Sequence, residues 1–270
     1  MSYSEILYEV RGPEARITLN RPDKRNPIGP VTIGELLHAL HTAKHDREVR
    51  VVVLTGTGKA FSAGGDLSSM GGSGKPLESS AAESRLPGTY VDLNLALVEL
   101  GKPSVAMVNG HAMAGGLGLV VACDIAIAAD DIQLGTPEIN VGLWPMMIMS
   151  TIFRNVTRKR GLEMILTGDR VSAADAEKMG LITRAVPRDR LEAEVGALVE
   201  KLAGKSPLVM QLGLAAFHVA QPMELAPALR YLEGQLMAVL GTDDAREGLM
   251  AFLEKRAPSW PSERSQKDSG

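Results

Sequence analysis

The chain of 270 residues is 45% hydrophobic and 23% charged, which suits one large globular domain or two small ones and excludes intrinsic disorder. A net charge of −3 argues against a nucleic-acid surface, and the single cysteine, Cys123, excludes a disulfide framework or a cysteine-rich zinc site. No apolar run reaches the roughly 18 residues that span a bilayer, and "MSYSEILYEV" does not read as a secretory signal, so a cytoplasmic protein with no membrane partner is expected.

"EILYEV" and "ARITLN" read as a strand pair around the turn "RGPE", followed by an irregular loop, "NRPDKRNPIGP". Val31, Ile33, Leu36, Leu37 and Leu40 stand at helical spacing and predict an amphipathic helix over 31–46. "VRVVVLTG" (49–56) is a continuous apolar run, as expected of a strand covered on both faces. The Gly- and Ser-rich "FSAGGDLSSMGGSGKPLESS" predicts irregular chain, mobile toward its end, and a helix is expected over 89–100. "PSVAMVNG" and "CDIAIAAD" repeat the buried-strand pattern, and "GLITRAVP" holds a further short strand. Strands alternating with helices imply βα units, a largely parallel sheet and an α/β fold. No internal repeat is visible in the sequence. The chain reads as a core over 1–200, a helical region over 201–256 and a polar tail over 257–270.

Several motif readings fail on the residues themselves. "GTGKA" lacks the first glycine and the final Ser or Thr of a phosphate loop, since Val53 and Ala60 stand there. Gly116 and Gly118 lack the third glycine of a dinucleotide fingerprint, where Val121 stands. "AFSAG" has Ala60 in place of the first glycine of a nucleophile elbow, with His111 as the base it would need. His38, His41 and His45 share a helical face, but the charge-rich "HDREVR" beside them reads as a solvated surface rather than a metal site.

Two segments share a design that does carry chemistry. "FSAGGDL" follows the strand at 49–56, and "AMAGGLG" follows "SVAMV" and opens a helix. Backbone N–H groups at such turns are free, and two of them converging would make an oxyanion hole for an acyl carbonyl. The plain alternative is tight packing of Gly-Gly turns on a sheet. Further on, "LGTPEINVGLWPM" places Glu138 among Ile139, Val141, Leu143 and Trp144, surroundings that raise a carboxyl pKa and suit an acid and base.

Taken together, "NRPDKRN", "AFSAGGDL", "NGHAMAGGLGLVVACDIAIAADD", "LGTPEINVGL" and "LTGDRVSAADAEKMGLITRAVP" resemble the crotonase (enoyl-CoA hydratase/isomerase) superfamily, in family order from about residue 5 to 256. The resemblance implies a crotonase fold: repeated ββα units in two roughly perpendicular sheets, then C-terminal helices that form a homotrimer or a dimer of trimers. It implies an acyl-CoA substrate, no cofactor beyond the coenzyme A of that substrate, and an enolate held by two backbone N–H groups. By position these belong to Gly65 and Gly115, with Glu138 as acid and base. The Ala63 carbonyl would meet the adenine. Lys24 and Arg25 would line the CoA entrance, and Phe252 and Lys255 would help cover the adenine, from the same or a neighbouring subunit. Asp66, Leu67, Gly116, Pro137, Leu143 and Trp144 complete the implied substrate contacts.

The chain departs from the family pattern at one place. Two-glutamate hydratases carry their other glutamate in the glycine-rich helix, where this chain has Gly118. A single carboxylate suits movement of a double bond from the 3- to the 2-position of an enoyl thioester. Hydration with one glutamate is the alternative, with water or another group in the space that Gly118 leaves. A non-catalytic acyl-CoA-binding protein is the third reading.

Overall fold

The computed structural model describes residues 2–66 and 88–262. Leu67 and most of the Gly- and Ser-rich stretch, with the end of the polar tail, lie outside the described residues.

Three sheets are formed. The largest has the order β1 (Ile6–Arg11), β2 (Glu14–Leu19), β4 (Val51–Gly56), β7 (Ser104–Val108), β9 (Ile125–Ala129) and β12 (Arg184–Val186). Only the β1–β2 hairpin is antiparallel, and β4 and β7 are buried at every position, as a doubly covered parallel strand should be. A second sheet runs β11 (Arg170–Ser172), β10 (Gln133–Gly135), β8 (His111–Met113), β5 (Ala60–Ser62), with β10, β8 and β5 parallel. The third is the two-residue pairing of β3 (Pro27–Ile28) with β6 (Gly64–Gly65).

An architectural repeat emerges that the sequence does not display. Each of β4, β7 and β9 in the large sheet is followed by a three-residue strand of the second sheet, and then by a helix: α2 (Tyr90–Val98), α3 (Gly115–Ala122) or α4 (Met146–Asn155). Strands of three residues are too short to show a period of two, so "AFS", "HAM" and "QLG" pass for loop. The helix α3 packs on β8, β5 and β7 and is buried from Gly116 to Val121, which explains why it is apolar all round. Phe61, Leu117, Leu119, Ile127 and Leu134 are buried between these layers, each contributing about 1.5–3 kcal/mol by the area removed from water.

The helix α1 (Pro30–His45) lies where it is expected, but its buried face is shifted. Val31 is exposed, and Thr32, Glu35, Leu36, Ala39, Leu40 and Ala43 face inward. Glu35 is tolerated there because its carboxylate accepts from Ser4 N–H and Oγ–H and from the N–H groups of Glu5 and Ile6, fastening the start of β1.

After α5 (Arg158–Thr167) and α6 (Ala173–Met179), α7 (Leu191–Ala203) lays Leu191, Val195 and Val199 on the large sheet. Residue 200 thus falls inside a helix of the core, and the change in character comes after Ala203. Beyond it α8 (Pro207–Ala220), α9 (Leu225–Leu240) and α10 (Asp243–Leu253) pack on one another. Buried Asp244 accepts from Ser206 Oγ–H and from Ser262 N–H and Oγ–H, while Trp260 Nε1–H donates to Gly204 O, latching the chain end to the start of α8.

Candidate active site

The three short parallel strands of the second sheet all end at one place. Beyond β5 come Ala63 to Gly65, beyond β8 come Ala114 and Gly115, and beyond β10 come Thr136 to Glu138. Parallel pairing aligns their carboxyl ends, where open α/β sheets present ligand sites.

At the first turn, Asn26 is the anchor. Buried at 1% exposure, it accepts from Arg21 N–H and donates to Thr57 O and Ala60 O, and its own carbonyl accepts from Ser62 Oγ. The Ser62 hydroxyl also accepts from Gly64 N–H, so it is spent as a turn clamp, in keeping with the failure of the nucleophile-elbow reading of "AFSAG". His111 Nδ1 likewise accepts from Gln133 N–H. The Gly-Gly pair does not follow the 49–56 strand directly, as read from the sequence; β5 intervenes, and Gly64–Gly65 is itself a strand on β3. Because Asp66 N–H donates to Ile28 O across that pairing, the Gly65 N–H points away from β3.

The second turn meets the first. Ala114 holds φ 50° and ψ −129°, a sparsely populated conformation that costs about 1–3 kcal/mol, and is fixed by its N–H to Gly135 O. The first helical bond of α3 is Gly118 N–H to Ala114 O, which leaves the Gly115 amide without a helical acceptor. A β-carbon on Gly64, where φ is +96°, would stand 2.6 Å from Ala114 Cβ and 3.3 Å from Gly115 N. One on Gly115 would stand 3.8 Å from Gly65 N, and one on Gly116 would strike Ser62 Cβ at 2.6 Å. The glycines let the two turns close on each other, with no β-carbon between them at residues 64, 115 and 116.

Glu138 sits in a short 3-10 turn, Pro137–Val141, that Pro137 opens at its fixed φ and that ends at Gly142 with φ 73°. Its backbone carbonyl accepts from Leu143 N–H, and Asn140 reaches Gly168 O. Its Oε2 is buried without a hydrogen-bond partner, and burial holds the carboxyl above the usual range against a weaker lowering from its own backbone N–H. A carboxyl group with an unpartnered oxygen and a raised pKa is able to take up a proton from a bound molecule.

Of the two occupants expected in the space that Gly118 leaves, water or another group, the structure places the second: a β-carbon there would lie 2.2 Å from Tyr90 Oη and 2.3 Å from Ile148 Cγ2. Tyr90, at the start of α2, donates to Gly115 O at 2.6 Å. Burial pushes its phenol above the ordinary value, against a lowering by a hydrogen bond from the Asn94 side chain and with a smaller push from the charge of Glu138, so it stays a neutral donor. Sequence reasoning missed Tyr90; the Thr89–Asp92 capping box marks its helix start, but nothing local ties it to Gly115.

Around this centre, Arg25, Ala63, Lys59, His111 and Arg170 line a cleft of about 520 Å³. Arg25 adopts φ 63°, and its carbonyl accepts from Ala63 N–H, which brings those two expected residues together. Lys24 is exposed beside it, whereas Lys59 and Arg170 arrive from segments that no local signal linked to the site. The Asp66 carboxylate is engaged by Arg21, which also bridges Glu5, at 3.1 Å each. Leu143 is 49% exposed, and Trp144 is half-buried with its Nε1–H on Met149 Sδ at 3.3 Å. Phe252 is 81% exposed at the end of α10, which packs on α8 and α9, and Lys255 follows with φ 54°. Leu67 lies outside the described residues. His41 and His45 stack on each other, His38 bonds Tyr3, and no group of three metal-ligand side chains occurs among the described residues.

A sequence profile of the enoyl-CoA hydratase/isomerase family matches residues 13–263. The chain belongs to that family. It is an enzyme of the crotonase superfamily, with that superfamily's mixed α/β fold and a helical C-terminal region. A putative enoyl-CoA hydratase of Thermus thermophilus is 36% identical over 249 residues, spanning 92% of this chain and 97% of that protein. A probable mitochondrial enoyl-CoA hydratase of Dictyostelium discoideum is 33% identical over 257 residues, 93% of this chain and 89% of that one. Among solved structures, an enoyl-CoA hydratase of Mycobacterium smegmatis superposes with a TM-score of 0.88 at 35% identity, covering 95% of this chain and 99% of that one. Human enoyl-CoA hydratase domain-containing protein 3 gives 0.88 at 30% identity, over 95% and 100%. No described helix of the chain is long and apolar enough to cross a membrane.

Proposed function

We propose that this crotonase moves the double bond of a 3-enoyl-CoA to the 2-position, with Glu138 as its only acid and base. The observation that carries the reading is the filled seat at Gly118, where Tyr90 and Ile148 stand in place of a second carboxylate or its water. Glu138 Oε2 takes the proton from C2, the C2–H electron pair enters the conjugated enolate, and the enolate oxygen rests on the Gly65 and Gly115 amides. The proton then returns to C4, so the bond shifts and no water is consumed. Loss of one such amide donor costs on the order of 3–4 kcal/mol in related acyl chemistry.

The acyl-CoA would enter along the cleft of Arg25, Lys59 and Arg170, whose cations suit its phosphates, with the adenine at the Ala63 carbonyl and no further cofactor. Leu143 and Trp144 would border the acyl chain. Assembly as a homotrimer or a dimer of trimers, in the cytoplasm, belongs to the same proposal. It is supported by α9, none of whose residues is buried although Leu225, Leu229, Leu232, Leu236 and Leu240 form one stripe. Such assembly could also bring Phe252 and Lys255 to a neighbouring subunit's adenine.

Hydration is the second reading, favoured by the names of the relatives. A paired assay separates the two. With 3-hexenoyl-CoA, the wild type is expected to form the conjugated 2-enoyl thioester without hydroxyacyl product, and Glu138→Gln to lose about a hundredfold or more. Hydroxyacyl-CoA from 2-hexenoyl-CoA would make it a hydratase and refute the exclusion of water at Gly118.

A further inference from the structure

Tyr90 is held on three sides. Its helix start is fixed by Thr89, whose hydroxyl accepts from Asp92 N–H while Asp92 accepts from Thr89 N–H and Oγ–H. Its ring lies over Gly115, with Cε2 3.4 Å and Cζ 3.7 Å from the place of a β-carbon there. Its hydroxyl enters the notch left by Gly118 and closed behind by Ile148, and donates to the Gly115 carbonyl.

This matters because Gly115 is the weak point of the anion site. A glycine is the residue least able to hold its own φ and ψ, yet the amide that faces the substrate must be aimed before charge develops. No side chain of its own can fix it. The phenol supplies what is missing: one bond to the carbonyl, and ring atoms packed where a side chain of residue 115 would begin.

We propose that Tyr90 is the positioning residue of the oxyanion hole, and that Gly118 is the matching vacancy that lets its phenol lock Gly115 in place. Resting on the acyl-CoA reading above, this assigns residues 90 and 118 as one coupled device. Tyr90 acts through Gly115: its hydroxyl proton goes to the Gly115 carbonyl and not to Glu138, whose Oε2 has no hydrogen-bond partner.

The test uses acetoacetyl-CoA, whose enolate absorbs in the near ultraviolet when an anion site holds it, with coenzyme A alone as the control ligand. Tyr90→Phe keeps the ring and loses one hydrogen bond. It is expected to lower both the bound-enolate signal and kcat on the turned-over enoyl-CoA by about threefold to tenfold, with CoA affinity and thermal midpoint little changed. Gly118→Ala is expected to show the same defect, and the double variant to be no worse than Gly118→Ala, as two routes to one loss require. If Gly118→Ala does not fold, Tyr90→Phe alone decides the positioning role. A Tyr90→Phe enzyme with wild-type enolate signal and kcat overturns the proposal while leaving the acyl-CoA reading intact. Multiplicative losses in the double variant overturn the coupling. A wild type that neither binds the enolate nor turns over an enoyl-CoA overturns both readings together.

Discussion

The two ends of the strand layers treat backbone polar groups in opposite ways. At the amino ends of the large sheet, side chains satisfy nearly everything in reach. Lys102 donates to Ala43 O and Asp46 O at the end of α1, Lys44 to Glu99 O at the end of α2, and Arg50 to Lys205 O beyond α7. Asp124 accepts from both Ser104 N–H and Oγ–H at the first residue of β7. Cations there also oppose the negative ends of three helices. At the carboxyl ends of the second sheet, a β-carbon on Gly115 would stand 3.8 Å from Gly65 N, so the two turns lie side by side, and Glu138 Oε2 is buried and unpartnered. One end is finished by the chain itself; the other is finished by what binds.

If that contrast is right, changes at the open end cost activity and changes at the closed end cost stability. The largest effect expected is at Gly64→Ala, where φ is +96° and a β-carbon meets Ala114 Cβ at 2.6 Å. Wedging the two turns apart should lower kcat by about a hundredfold or more, measured on protein that circular dichroism shows to be folded. Full activity there would break the comparison at once. Asp124→Ala is the counterpart. Removing the acceptor at buried Ser104 should cost about 1–3 kcal/mol in urea denaturation, with kcat/KM within about twofold of wild type. An inactive but fully stable Asp124→Ala would invert the assignment of the two ends.

The smallest effect sharpens the picture at Glu138. Burial raises its folded-state pKa, so the protonated form is favoured in the fold. Its favourable contribution is complete below the unfolded value, about 4.3, and is lost as pH rises through the higher folded value. Glu138→Gln should therefore stabilise the protein at pH 7 by a few tenths to about 1 kcal/mol after solvent screening, and by almost nothing near pH 4. Equal midpoints at pH 7 would mean that the carboxylate is not strained by its site. The activity of the wild type should fall as Glu138 protonates, above the pH at which an ordinary carboxylate does.

The long elements and the core of the site are legible in the sequence because their signals are local. The buried strands at 49–56 and 104–108, the helix at 30–45, both Gly-Gly turns and Glu138 each declare themselves within a few residues. What could not be read is what long range supplies. The three-residue strands carry no period, so the ββα repeat stays hidden. Val31 is exposed because Glu35, a charged residue by composition, takes an inward place through its bonds to the start of β1. Gly118 reads as a gap, since an absent side chain does not say what will enter, and Tyr90 is 28 residues earlier in the chain. The same holds for Lys59 and Arg170, which reach the Arg25 cleft from different strands' ends.

The latch at the chain end has an optical consequence. The protein has two tryptophans, and they report on different regions. Trp144 rests on Met149 in the loop that carries Glu138, whereas Trp260 is tied to Gly204 with Asp244 and Ser262 beside it. Replacing either by phenylalanine leaves a single emitter. One variant then signals only what happens beside the Glu138 loop, the other only whether the helices after Ala203 stay clasped, so local loosening of the tail and events near Glu138 can be watched in separate cuvettes without any added dye.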